Sequence, residues 1–198
     1  MRKIKYILRK SLGFFVASFL LMVYDENRRL KKILTSYDVI PLYSHNINEK
    51  KFRKLYIWLN KNNVDFISTK DLLEIFLDKK KTTGKVWFSL DDGWRENYRL
   101  LGTITKYRIP ITIFLSTNCI EKGYFWFSHY NRSKNLFKKL GIVDIWELPE
   151  AERRNISPMF DFIARGHQRE TLSIEEIKKM NASGFIEFGN HTDNHVVV

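Results

Sequence analysis

The feature that most constrains the fold is the run Val86-Trp87-Phe88-Ser89-Leu90, apolar at every position but one, set between Gly84 and the sequence Asp91-Asp92-Gly93. A strand with one wet face alternates apolar and polar residues, whereas one that is apolar throughout is covered on both faces, as in a parallel sheet clothed in helices. The acid pair that ends the run is chemically unusual. Adjacent carboxylates repel when both are ionised, so a site that holds them together supplies a cation or keeps one of them protonated.

The neighbouring sequence has the rhythm such a sheet needs. Val39 to Tyr43 reads as a strand, Glu49 to Leu59 as an amphipathic helix with Phe52, Leu55, Tyr56 and Leu59 on one face, and Val64 to Ile67 as a second strand. Ser68, with Asp71 three positions on, reads as a helix start leading into Leu72, Leu73, Ile75 and Phe76. Arg95 to Tyr107 carries Tyr98, Leu101 and Thr105 at helical spacing, and Ile109-Pro110 leads into a strand from Ile111 to Leu115. This alternation predicts parallel βα units.

Residues 116–172 break the rhythm, with the aromatic cluster Tyr124-Phe125-Trp126-Phe127, a short helix from Ser133 to Leu140, and Pro149 and Pro158. The stretch is too long for an ordinary crossover and reads as an insertion placed to cover a binding site. Regularity returns at Ser173-Ile174-Glu175-Glu176, a capping box, with a helix to Ser183, a stop at Gly184 and a strand from Phe185 to Phe188. Beyond it lies His191-Thr192-Asp193-Asn194-His195. If the strands are parallel neighbours, Asp91, Asp92, His191 and His195 meet at the C-terminal rim, where parallel α/β folds place their chemistry.

Composition bounds the rest. At 198 residues and 44% apolar, the chain is long enough for one domain with a substantial core and too short for two large ones. The formal net charge of +12 suits a polyanion or an anionic membrane surface. Much of it is local, however: residues 1–34 hold nine Lys/Arg against two acids, and Lys79 to Lys81 read as a solvated loop after a helix. No nucleic-acid partner is expected. The basic head of residues 1–10 is followed by thirteen mostly apolar residues, Leu12 to Tyr24, against the roughly 20 that a spanning helix needs. No small-residue cleavage pattern precedes Asp25. Residues 1–36 are therefore expected to form a helical segment lying on a membrane surface or docked on the domain, and residues 37–198 the α/β unit. Cys119 is the lone cysteine, so no intramolecular disulfide can form, and it reads as a buried, inert thiol.

Ser89-Leu90-Asp91-Asp92-Gly93 resembles the Thr-Phe-Asp-Asp-Gly motif of the polysaccharide deacetylase (NodB-homology) family, and His191-Thr192-x-x-His195 resembles its His-Ser/Thr-x-x-His motif. Ile109-Pro110-Ile111-Thr112-Ile113-Phe114-Leu115 sits where the family has its Pro-x-Thr-x-Phe strand, and Gly184 to Asn190 is similar to its lead-in to the histidines. The resemblance covers residues 38–195. It implies the N-terminal portion of a (β/α) barrel, that is, an α/β fold with an added N-terminal helix. Asp91 would be the general base, and Asp92, His191 and His195 the ligands of a divalent metal. Two imidazoles and a carboxylate suit Zn, with Fe, Co and Ni as alternatives. The implied substrate is an N-acetylated glycan, hydrolysed to an amine and acetate, and the basic, apolar N-terminus points to a cell-envelope glycan or a surface-polysaccharide precursor.

The family's later motifs, an Arg/Pro-Tyr segment, an apolar acetyl pocket and a late histidine serving as general acid, have no counterpart before Val198. The expectation is half a barrel, with an exposed sheet edge after the Phe185 strand. Trp94 and Trp126 are the candidates for stacking on sugar rings, and Trp87 reads as core. His45 is expected on the same rim without being a ligand, and His129 and His167 as surface or structural residues. Taken singly, Asp-Asp-Gly is a common turn and two histidines four apart are common on surfaces. Two other classes of function compete: a non-catalytic module binding membranes or polyanions, and a metallohydrolase of phosphoesters using the same ligands.

Overall fold

The computed structural model describes residues 38–78, 82–141 and 144–195, together with Lys32. The expectations for residues 1–36, for Lys79 to Lys81 and for Val196 to Val198 lie outside the described residues.

The order of elements is β1 (Ile40–Ser44), α1 (Glu49–Lys61), β2 (Asp65–Phe66), α2 (Thr69–Asp78), β3 (Lys85–Leu90), a 3-10 turn (Arg95–Leu100), α3 (Leu101–Tyr107) and β4 (Ile111–Leu115). Five short helices come next: α4 (Thr117–Lys122), α5 (Trp126–Arg132), α6 (Lys134–Lys139), α7 (Glu150–Asn155) and α8 (Ser157–Ala164), with a 3-10 turn at Ile145–Glu147 before α7. The last two elements are α9 (Ile174–Asn181) and β5 (Ile186–Asn190). This is an α/β chain whose strand pairs, among the described residues, are all parallel, in the order β1-β3-β4-β5. Val86 pairs with Ile40 of β1 and with Phe66 of β2, so those strands lie on opposite edges of β3. The edge carrying β2 also carries β4, through Ser89↔Thr112 and Leu90↔Ile113.

Side-chain chemistry explains the element boundaries. Ser68 and Asp71 bond reciprocally, the Ser68 N–H donating to Asp71 Oδ2 and the Asp71 N–H to Ser68 Oγ, which fixes the entry into α2. Ser173 and Glu176 form the same reciprocal box at the start of α9. Gly184 adopts a left-handed φ of 73°, which turns the chain from α9 into β5.

The main core lies over the sheet. Phe52 and Leu59 of α1, Val86, Phe88 and Leu90 of β3, Leu100, Ile104, and Ile111 and Ile113 of β4 are all buried within it. Each such side chain contributes about 1.5–3 kcal/mol by leaving water.

Three points of the sequence reading are refined here. The helix expected over 95–107 begins as a 3-10 turn, with Leu100 and Ile104 fully buried, Tyr98 and Leu101 half-buried against the same core, and Thr105 exposed. In α2 no residue is buried: Leu73, Phe76 and Leu77 are 55%, 78% and 79% exposed, because the helix touches the sheet mainly through its first turn. There Thr69 donates its N–H to Glu187, and its hydroxyl shares a hydrogen bond with Thr112. Trp87 is half-buried rather than core, with its indole N–H donating to Thr69 Oγ1.

Residues 116–172 build a second core of Tyr124, Tyr130, Phe137, Ile145 and Phe160, with Trp126, Met159 and Ile163 against it. The segment is stitched back to the sheet at both ends. Thr117 and Asn118 donate their N–H groups to the Thr192 and Asp193 carbonyls, and Trp94 forms an antiparallel bridge with Thr171.

Candidate metal centre

The site stands at the C-terminal end of β3. Asp91 is tied to the sheet by its N–H, which donates to the Ser44 carbonyl, so the apolar strand carries its register up to the first carboxylate. Asp92 then turns into the left-handed region with φ 74°, followed by Gly93 with φ 84°. A side chain at Gly93 would be strained by that φ, and its Cβ would sit 2.6 Å from Leu115 Cδ2, so the turn demands glycine. The sharp turn sends the two carboxylates apart. Asp92 goes inward and is 1% exposed, while Asp91 stays half-buried at the rim.

The histidines arrive through β5. His191 donates its N–H to the Leu115 carbonyl, and Ser116 Oγ donates to the His191 carbonyl, so the ladder between β4 and β5 continues into the loop that carries the rings. Gly189 permits this close approach, since a Cβ there would meet the Phe114 ring at 2.5 Å. Thr192 and His195 hold φ of 62° and 53°. Left-handed non-glycine residues are costly, and three of the five in the described chain, Asp92, Thr192 and His195, lie in this site.

Asp92, His191 and His195 offer ligand atoms that all lie within 4.8 Å of one another. Asp92 Oδ1 is 3.4 Å from His191 Nε2 and 3.2 Å from His195 Nε2, yet it is buried without satisfying hydrogen-bond geometry to either. A buried carboxylate oxygen without a hydrogen bond is costly, and two imidazole nitrogens converging beside it give the donor set that a divalent cation takes. The other oxygen, Oδ2, accepts the Trp94 indole N–H at 2.9 Å.

Electrostatics agree with this arrangement. Burial pushes the Asp92 carboxyl up, but the His195 ring and the Trp94 N–H outweigh it, and the group ends below the usual carboxylate range. The close Asp92 carboxylate raises His195 above the ordinary imidazole value, against the opposing effect of its burial. His45, exposed at the end of β1, is near enough for its charge to help lower Asp92.

Aromatic side chains from 116–172 wall the site. Phe127 lies 4.8 Å from the His195 ring, Trp94 lies 4.3 Å from Phe125, and Trp146 lies 5.0 Å from Trp126. The Trp126 indole donates to the Asn194 carbonyl at 2.8 Å, and the Arg153 guanidinium sits over its ring. Both tryptophans expected to stack on sugar thus spend their N–H groups inside the protein. Phe127 and the 36%-exposed Trp146 also stand at this wall, and no spacing of theirs along the chain signals it.

Behind the Trp126 wall a cavity of about 190 Å³ opens among Asn118, Lys122, Trp126, Arg153, Ser157 and Asn194, away from the ligand atoms. Cys119 is buried beside it, as expected, and burial pushes its thiol up to about 12. Of the two expectations for His129, surface or structural, burial supports the second, since the ring is fully buried. Its Nε2 is 3.9 Å from Glu170, and its ring lies 5.3 Å from that of His167.

The family model described as Polysaccharide deacetylase matches residues 78–197, which takes in both motifs. No curated protein matches the chain. Among solved structures, IcaB from Ammonifex degensii superposes with a TM-score of 0.55 at 18% identity, over 81% of this chain and 55% of that one. A de-N-acetylase from Aggregatibacter actinomycetemcomitans gives 0.49 at 15% identity, over 80% and 55%. The chain thus spans about half the length of the solved structures it matches. The likeness to IcaB carries the fold, a parallel α/β arrangement of the deacetylase type, and the match over residues 78–197 carries the family: the chain belongs to the polysaccharide deacetylases.

Proposed function

We propose that the chain carries the metal-binding half of a carbohydrate N-deacetylase, which hydrolyses N-acetyl groups of a polysaccharide to free amines and acetate. The observation that supports this most directly is the buried Asp92 Oδ1 with the two histidine Nε2 atoms beside it, and a second carboxylate one residue earlier. Asp92, His191 and His195 would hold the cation, and their one oxygen and two nitrogens favour Zn. When bound, such a cation supplies Lewis acidity, polarising the acetamide carbonyl and making water easier to deprotonate.

The chain's own residues do the rest. Asp91 stands outside the donor set but close enough for its charge to act on His195, and takes the proton of the attacking water. As the C–N bond breaks, the departing nitrogen needs a proton. The pairing of Ser44 with Leu90 brings His45 alongside Asp91 at the rim, where its ring can donate one. The aromatic wall from 116–172 keeps bulk water from one side of the reacting groups.

The basic residues 1–34 motivate a place at the cell envelope, facing a glycan substrate across an anionic surface. Recovery of the protein entirely in the soluble pool without detergent would overturn that location.

The activity is tested by incubating the protein, loaded with Zn, with N-acetylglucosamine oligomers and measuring acetate, with phosphate release from a phosphoester as control. Acetate release that is abolished in Asp91→Asn while bound Zn is retained is the expected result. Phosphate release without acetate would replace the reading.

A further inference from the structure

Trp94 follows the acid pair directly and invites a sugar-stacking role, but its surroundings give it another. Its indole N–H donates to Asp92 Oδ2, its ring packs at 4.3 Å on buried Phe125 and at 6.1 Å on Phe127, and its backbone is clamped by the bridge to Thr171. The Arg95 N–H donates to the Glu170 carbonyl and the Leu172 N–H to the Gly93 carbonyl, so the backbone on both sides of Trp94 is held by residues 170–172. A ring fixed in this way aims its N–H; it is not free to swing toward a ligand.

The two oxygens of Asp92 are thereby made unequal. Oδ2 has a donor within hydrogen-bond distance, whereas Oδ1 is buried, lacks a hydrogen bond and faces both imidazoles. We infer that Trp94 is a positioning residue for the metal centre: it occupies Oδ2 and so reserves a single oxygen of Asp92 for the cation. This rests on the metal-binding reading above. A carboxylate with both oxygens free can close on a cation through both and consume a coordination position. One oxygen already engaged leaves that position for water and substrate, and partners of metal ligands commonly change metal affinity about 10–100-fold. The bond comes from the indole N–H, and phenylalanine in its place has a planar ring and no donor.

Trp94→Phe keeps ring packing and removes the N–H. With Zn²⁺ alone as the probe, the variant is expected to bind about ten-fold more weakly than wild type, while the circular dichroism spectrum of its metal-free form stays that of the folded wild type. Loaded with Co²⁺, the variant's visible absorption should weaken as the freed Oδ2 adds to the coordination. Equal Zn²⁺ affinity and an unchanged Co²⁺ spectrum overturn the inference. Failure of wild type itself to bind Zn²⁺ would instead overturn the underlying metal reading. If Trp94→Phe does not fold, the indole ¹⁵N–H resonance of wild type decides the matter. Slow exchange with solvent and a shift on adding Zn²⁺ support the inference, and exchange as fast as that of an exposed indole overturns it.

Discussion

The parallel sheet and the 116–172 segment solve the same problem, burying aromatic and aliphatic surface, in different ways. In the sheet, Val86, Phe88, Leu90, Ile111 and Ile113 are fixed by a ladder whose register admits no slip without exposing them, so the carboxylates at its end inherit a fixed position. In 116–172 the helices run six to eight residues, too short to hold themselves, and what fixes them is Phe137 and Phe160 stacked at 5.1 Å with Tyr130 and Ile145 around them. One region places the ligand atoms by backbone, and the other shapes their surroundings by side chains. The difference teaches that the second can be loosened without dissolving the first.

The sharpest way to break this comparison is Phe137→Ala. Truncating a fully buried ring costs about 3–5 kcal/mol. If the cores are separable, hydrogen exchange should quicken in Trp126–Arg132 and Ser157–Ala164 while β3 and β4 keep their protection. Uniform loss across the chain would show a single cooperative unit instead.

A smaller effect sharpens it through pH. Burial lowers the His129 pKa below the ordinary imidazole value, against the pull of Glu170 and with the help of Arg132 and His167. In the unfolded chain the ring takes a proton at about pH 6.5, so there the unfolded state binds more protons and stability rises with pH. His129's contribution is therefore full above about pH 6.5 and is lost as the pH falls from there through the lowered folded value. His129→Gln should flatten the acid side of the stability profile, measured by denaturant unfolding from about pH 7.5 to about pH 5. An unchanged slope would remove His129 from the account.

The smallest change lies on the sheet side. Ser173→Ala deletes the side-chain half of the α9 cap and should cost about 1 kcal/mol in denaturant unfolding, with helices α5 and α8 unaffected. Loss of exchange protection in α5 would mean that the two regions communicate through Thr171 and Leu172.

Legibility in the sequence follows the same division. The bounds of β3 and β4 are legible because a mostly apolar run lies between Gly84 and the acid pair in the first and follows Pro110 in the second, and Ser68 and Ser173 announce their helices by spacing alone. The meeting of Asp92 with His191 and His195 follows from parallel order once both motifs are placed after strands. Hidden from the sequence was anything that depends on a direction in space. The apolar face of α2 has the spacing of a buried helix yet points outward. The N–H groups of Trp94 and Trp126 find partners that no spacing reveals, Asp92 and the Asn194 carbonyl. Trp146 lies twenty residues from its neighbour Trp126 in a stretch with no periodicity to betray the contact.

The outer strand β5 has a consequence of its own. Among the described residues it bonds on one side only, to β4, and runs parallel to it. A polypeptide that continues the ladder in the same sense has to return over the face of the sheet before pairing, because a tight hairpin can deliver only the opposite direction. Two copies meeting there about a dyad would pair their strands antiparallel, so a seam joining two molecules and a parallel seam within one would differ in strand polarity, which cross-strand chemical linking can read directly.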